Sequence, residues 1–242
     1  MKVDGNLGMN ANNAEQGKAA HVTDVGFASN FWIENADNYI TNNHAAGSLG
    51  AGFWLAVFGE VGGLSADDDR FKNINPSKSE LGSFDGNSAH TVETGFSTRQ
   101  NFREEPGRGR ALEWKPDEVL PVISDFTSYM TTEWAVFGSS RPYLLTDSVL
   151  AESAKTIQMR NGQIFEDVLF VGDSGNIGNP DTDEERRRGH SLPDGQNGVI
   201  GATLYDGPTS LYNVHFENYT EADSDAIDLL RDQWQIDSHL VT

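Results

Sequence analysis

The chain has no cysteine, so no disulfide frames the fold and no thiolate chemistry is open to it; a large enough core dispenses with disulfides, so the compartment stays open. No run of about 18 apolar residues occurs, which excludes a helix spanning a membrane. Cations are scarce: 17 Lys and Arg stand against 37 Asp and Glu, for a net charge of −20. Phosphate recognition needs clustered Lys and Arg, so nucleic acid and anionic membranes are excluded as partners. Leu-rich helical heptads are missing. The opening Met1-Lys-Val-Asp-Gly-Asn lacks a hydrophobic signal segment, so a leader was removed or the chain belongs to a longer protein.

What is present is short β-type runs cut by Asn and Gly. Phe31-Trp32-Ile33, Tyr39-Ile40 and Phe53-Trp54-Leu55 are apolar. Asn35, Asp37, Asn38, Asn42, Asn43, Gly47 and Gly50 lie between them. These polar and small residues tolerate left-handed turns. A strand, a tight turn and another strand, repeated without room for a helix, make one coil of a parallel β-solenoid. Asn43-His-Ala-Ala-Gly followed by Gly52-Phe53 reappears as Asn87-Ser-Ala-His-Thr followed by Gly95-Phe96, with the spacer one residue shorter. An Asn at such a turn can bond to the Asn of the next coil, and the small Ala suits a narrow interior. In this alignment His44 matches Ser88 and His90 matches Ala46. Coils of roughly 22–26 residues would allow about eight to ten of them.

Residues 1–20 are expected to be a polar N-terminal lead-in and 21–242 a parallel β-helix, part of a longer chain because no capping sequence closes it. Short strands spaced near ten residues run from Val122 to Val171, and no hairpin dipeptides join them. The expected fold class is all-β, a right-handed parallel β-helix with long loop insertions at 60–80, 101–116 and 172–197.

The order of motifs resembles a known family. Phe31-Trp-Ile-Glu-Asn-Ala-Asp-Asn38, Asn43-His-Ala-Ala-Gly-Ser48 and Gly52-Phe-Trp54 come first. Asp167-Val-Leu-Phe-Val-Gly-Asp-Ser-Gly-Asn176, Leu204-Tyr-Asp-Gly-Pro-Thr209 and Val214-His-Phe-Glu-Asn-Tyr219 follow. This set is similar to the parallel β-helix region of the cell-migration-inducing, hyaluronan-binding proteins, whose relatives include fibrocystin-like and bacterial proteins. The resemblance implies a right-handed β-helix, secreted or at the cell surface, that binds and in some members depolymerises hyaluronan. It carries over no catalytic set. The Gly-rich domain that usually precedes the helix in that family is not seen in the chain.

The candidate chemistry follows from residue type. His44 and His90, in the two repeat copies, are candidates for an acid/base pair or a metal site, against the alternative of turn residues bonded to backbone. Asp206, in Tyr205-Asp-Gly-Pro208, is a candidate acid, with a turn role the stronger reading. Arg103 and Arg108, with Arg110, and the run Arg186, Arg187, Arg188 are the basic clusters of an acidic chain. Their guanidinium forks suit uronate carboxylates, and pairing with neighbouring acids is the alternative. Asp181 and Asp183, like Asp67-Asp68-Asp69, are candidate Ca²⁺ ligands, against a solvated acidic loop. Trp32 and Trp54 read as core. The expected function is binding, with or without depolymerisation, of an acidic polysaccharide by a hydrolase or lyase type of site. A non-catalytic adhesive module of a larger surface protein is the alternative. At least two of the three insertions are expected to meet on one side and border the main cleft, with His90 and Arg186 to Arg188 nearer to it than Trp32.

Overall fold

The computed structural model describes residues 1–12, 28–62, 65–98, 112–117, 119–138, 142–160, 162–172, 199–219, 225–229 and 240–241. Among them the architecture is all-β, with one short 3-10 turn at Pro76–Lys78, and every strand pairing is parallel. The strands are β1 (Lys2–Asp4), β2 (Leu7–Ala11), β3 (Ser29–Ile33), β4 (Tyr39–Thr41), β5 (His44–Leu55), β6 (Ser83–Asp85), β7 (Ser88–Ser97), β8 (Val122–Ser124), β9 (Thr127–Phe137), β10 (Leu144–Arg160), β11 (Ile164–Val171), β12 (Ile200–Asp206), β13 (Thr209–Tyr212), β14 (His215–Glu217), β15 (Asp225–Leu229) and β16 (Leu240–Val241).

The registers sort these strands into three ladders. The first stacks β1, β4, β6, β8, the starts of β10 and β11, β13 and β16. The second stacks β2, the first halves of β5, β7 and β9, the middle of β10, the end of β11, and β14. The third stacks β3, the second halves of β5, β7, β9 and β10, then β12 and β15. The chain visits the ladders in the same order through seven coils before β16 rejoins the first. Antiparallel hairpins, the signature of a sandwich, do not occur among the described strands. Uninterrupted coils run from Val122 to Leu144 and from Leu144 to Ile164. Among the described strands seven coils precede β16, against the eight to ten expected, because long connections lengthen several of them.

The corner between the first and second ladders explains the Asn and Gly pattern. Gly5, Asn42, Gly86, Asp125, Asp147, Asp167 and Asn213 occupy one column there, all with φ between 46° and 67°. Only Gly, Asn and Asp fill it, the residues for which a left-handed conformation costs least. The next residue points inward. Asn6, Asn43 and Asn87 stack there: the Asn43 carboxamide oxygen accepts from Asn6 N at 3.0 Å, and that of Asn87 accepts from Asn43 N at 3.0 Å. From the fourth coil the stack gives way to buried Phe126, Ser148 and Val168. The corner between the second and third ladders has its own left-handed column, Asn10, Gly47, Thr91, Met130, Glu152 and Asn218. Thr91 and Met130 adopt it against their local preference, so the packing of the coils imposes the bend.

The interior is filled from all three ladders: Ile40, Phe84, Ile123, Leu145 and Phe165 from the first, Ala45, Ala89, Leu150 and Phe170 from the second, and Phe53, Phe96, Val136, Ile157 and Ala202 from the third. Equivalent rings lie at the coil spacing: Phe31 stacks on Phe53 at 4.8 Å and Phe170 on Phe216 at 4.7 Å, close to the inter-strand distance of about 4.8 Å. The coils start earlier than composition suggests. Lys2–Asp4 and Leu7–Ala11, within the segment expected as a polar lead-in, are the first rungs of two ladders. Gly5-Asn6 is a third copy of the Asn corner.

Candidate functional site on the third ladder

Connections determine which face is framed. The corner between the first and second ladders is a tight turn of the same length in every coil, from Gly5-Asn6 to Asn213-Val214. The long connections leave from the other two corners. Those following Leu55 and Ser97 run from the third ladder to the first and contain the 60–80 and 101–116 insertions; that following Val171 runs from the second ladder to the third and contains 172–197. All three therefore have one end on the third ladder. The first two also pack on each other: Trp114 Nε1 donates to Ser79 O at 2.8 Å, Lys115 N donates to Ser77 O at 2.7 Å, and Lys78 pairs with Asp117 at 2.6 Å. Trp114 is buried against Ala36, Leu55 and Val57.

The outer face of the third ladder carries two columns, set by register. One runs Ser29, Ala51, Thr94, Trp134, Lys155, Ile200; the other runs Trp32, Trp54, Ser97, Phe137 and, in the next two coils, Gln158 and Thr203. Trp32 and Trp54, expected in the core, lie on this outer side. They pack with Ala51 and Ala56 in a cluster separate from the interior, ring centroids 4.7 Å apart. Trp54, Thr94 and Ser97 are covered, so the second and third coils of this face are closed, while Ser29 and Trp32 of the first are half-buried. The fourth to sixth coils are different. Trp134 packs on Phe137 at 5.5 Å, and exposed Lys155 lies with Nζ 5.2 Å from the Trp134 ring centroid. Gln158 is half-buried and Thr203 buried beside them. Aromatic rings, an ammonium, an amide and a hydroxyl are the groups that recognise a carbohydrate. The sequence did not point to Lys155 or Phe137, because their adjacency to Trp134 emerges only from the coil register.

His44 and His90 lie on the second ladder's outer face, in the alignment read from the repeat: His44 opposite Ser88, and His90 opposite Ala46. His44 Nδ1 is 2.5 Å from Ser88 Oγ. His90 Nδ1 is 3.1 Å from Thr91 Oγ1, and its ring stacks on Tyr129 at 4.8 Å. Burial, and then the like charge of His44, hold the His90 pKa below its ordinary value. The two histidines thus share a face, the second ladder, which only one of the three insertions meets, whereas all three meet the third ladder, on which Trp32 lies. Asp206 ends β12 just before left-handed Gly207, φ 77°, as a turn residue would.

Arg103, Arg108, Asp181, Asp183, Arg186, Arg187 and Arg188 lie outside the described residues. Of the other acidic run, Asp68 pairs with Arg70 at 2.6 Å and Asp69 with Lys72 at 2.5 Å, as in a solvated loop. Among the described residues no group of three or more His, Asp or Glu side chains is placed to hold a metal ion, and no helix is long and apolar enough to cross a membrane. Corner carboxylates are engaged within the coils. Asp4 accepts from Thr41 Oγ1 at 2.6 Å and Asn42 Nδ2 at 3.0 Å, which, with Lys2, lower its pKa to about 2. Asp167 accepts from Asn213 Nδ2 in the same way.

Comparison with known proteins agrees with the coil architecture. Residues 3–96, covering most of the first three coils, match the family described as CEMIP beta-helix. The mouse cell migration-inducing and hyaluronan-binding protein is 27% identical over 237 residues, covering 81% of this chain and 17% of that protein; its human counterpart gives the same values. The human cell surface hyaluronidase CEMIP2 is 24% identical over 260 residues, covering 88% of this chain and 18% of its own length. The chain thus spans less than a quarter of the length of these relatives, and what it carries is a CEMIP-like β-helix region.

Proposed function

We propose that this chain is a right-handed parallel β-helix that binds an acidic, uronate-bearing polysaccharide along the outer face of its third ladder, outside the cell or at its surface. The observation that carries this reading is the placement of the insertions: each long connection leaves from a corner of that one ladder, and the opposite corner is never lengthened. Loops that frame one rigid sheet face are a common route to a binding groove. The relatives support the ligand class, since their names record hyaluronan binding and hyaluronidase activity. With a net charge of −20, a polyanion can be held only where cations are gathered locally. Lys155 supplies one on the framed face. Arg103, Arg108 and Arg186 to Arg188 belong, by sequence, to the bordering connections.

The test is incubation of the purified chain with hyaluronan, alginate, pectin and neutral dextran, measuring binding and polymer length together. Saturable binding to at least one acidic polymer, weakened by salt, is expected. Absence of binding to all of them overturns the reading. Shortening of the polymer would mark a hydrolase or lyase; binding without shortening would mark an adhesive module.

A further inference from the structure

We infer that Lys155, braced on Trp134, is the carboxylate-contacting residue of the third-ladder face, and that Phe137 and Gln158, with the edge of Trp134, form the sugar subsite around it. This rests on the binding reading above and adds the residue that selects a carboxylated sugar over a neutral one.

Charge pairing singles Lys155 out. Lys2, Arg70, Lys72, Lys78 and Lys115 each pair with a carboxylate within 3.0 Å. Among the cations whose side chains are described, Lys155 is the one without such a partner, in a chain where acids outnumber bases by 37 to 17. Instead its Nζ lies 5.2 Å from the Trp134 centroid, one coil away in direct register. That contact lays the alkyl stem along an almost fully buried ring and holds the ammonium on the surface before any ligand arrives. Part of the rotamer entropy that a free lysine would lose on binding is already lost. A compact ammonium with its hydrogen-bond donors free favours a carboxylate.

The surroundings fit a sugar. Phe137 lies on the Trp134 side at 5.5 Å, giving an apolar ledge. Gln158, half-buried on the same strand as Lys155, offers an amide to ring hydroxyls, and buried Thr203, its register partner on the next coil, lies behind it. Coil spacing of about 4.8 Å places these groups within one or two sugar residues of each other.

The experiment compares the whole chain with Lys155→Gln and Lys155→Arg, using hyaluronan oligosaccharides and the same oligosaccharides with their carboxylates reduced to alcohols. Lys155 is exposed, so circular dichroism and the urea midpoint should be unchanged in both variants. K155Q should lose about tenfold or more in affinity for hyaluronan, the scale of one charge-assisted hydrogen bond. Its salt dependence should fall by about one ion, and it should no longer distinguish the native from the reduced oligosaccharide. K155R should keep most of the affinity, and wild-type tryptophan emission should change on binding. If the wild type binds and K155Q binds equally well, with the same preference for the native sugar, this inference fails and the polysaccharide reading stands. If neither oligosaccharide binds the wild type, both fail.

Discussion

Replacing Asn43 by Ala should remove much more stability than replacing Asn6, at the exposed end of the same corner stack. Its side chain is fully buried. The carboxamide oxygen accepts from Asn6 N at 3.0 Å and Asn6 Nδ2 at 2.9 Å, and Nδ2 donates to Val3 O at 2.9 Å and Asn87 Oδ1 at 3.0 Å. Two of these bonds reach exposed Asn6, where water substitutes. The other two are shielded, and at about 1–1.5 kcal/mol each, with a small cavity added, their loss comes to about 3 kcal/mol. Asn6→Ala, at the exposed end of the same stack, should cost under about 1 kcal/mol. Solenoid coils unfold from their ends, so the first coil can open before the rest. Urea unfolding should therefore be read with hydrogen exchange: in N43A the amides of β1, β2 and β4 should lose protection while β9 and β10 keep theirs. An N43A protein within about 0.5 kcal/mol of wild type, with unchanged exchange in the first two coils, would refute the argument.

Three other outcomes are expected. A methyl on Gly95 would overlap both Ser128 Oγ and the Ala135 carbonyl oxygen; Gly95→Ala should cost about 1–3 kcal/mol in urea unfolding, and adding Ser128→Ala should not restore it, because the backbone clash remains. The His90 pKa is lowered in the folded chain, so the unfolded imidazole takes up its proton first, and the stability present at neutral pH should decline as pH falls below 6.5. His90→Asn should flatten that slope, and His44→Asn should raise the His90 midpoint seen by NMR. Burial pushes the Tyr219 phenol up to about 12, opposed by the Thr156 hydroxyl beside it. The unfolded phenol ionises first, so stability should fall as pH rises from 10.0 toward about 12, and Tyr219→Phe should remove that loss in an alkaline unfolding series.

The parts of the fold legible from sequence were those where one residue type is enforced by backbone shape. Asn43 and Asn87 recur because each caps the corner of the coil before it, and Gly52-Phe53 and Gly95-Phe96 recur because they occupy the same rung. The one-residue difference in their spacers is absorbed where the β5–β7 register shifts, between Ser48 and Ala51 on one strand and Val92 and Thr94 on the other. The second corner was illegible: Thr91, Met130 and Glu152 take left-handed φ there because neighbouring coils demand it, and nothing local announces the bend. The first coil was missed because the apolar residues that alternate in its second strand, Leu7 and Met9, face outward and exposed, so the strand carries no apolar inner face to read. The candidate site was legible only in outline. That three insertions share a side follows from connectivity, but which ladder they frame depends on counting corners across unequal connections. His44 and His90 were noticed for their chemistry and sit on the second ladder, which only one of the three insertions meets. Lys155 and Trp134 are 21 positions apart, and only stacking makes them neighbours.

The most direct test of the central claim is a crystal structure of the chain bound to a hyaluronan or other uronate oligosaccharide. The account predicts a right-handed coil with the sugar lying across the third ladder, a carboxylate at Lys155, and the connections after Leu55, Ser97 and Val171 as its walls. A sugar bound instead on the second ladder beside His44, His90 and Tyr129, with the third-ladder face empty, would contradict it.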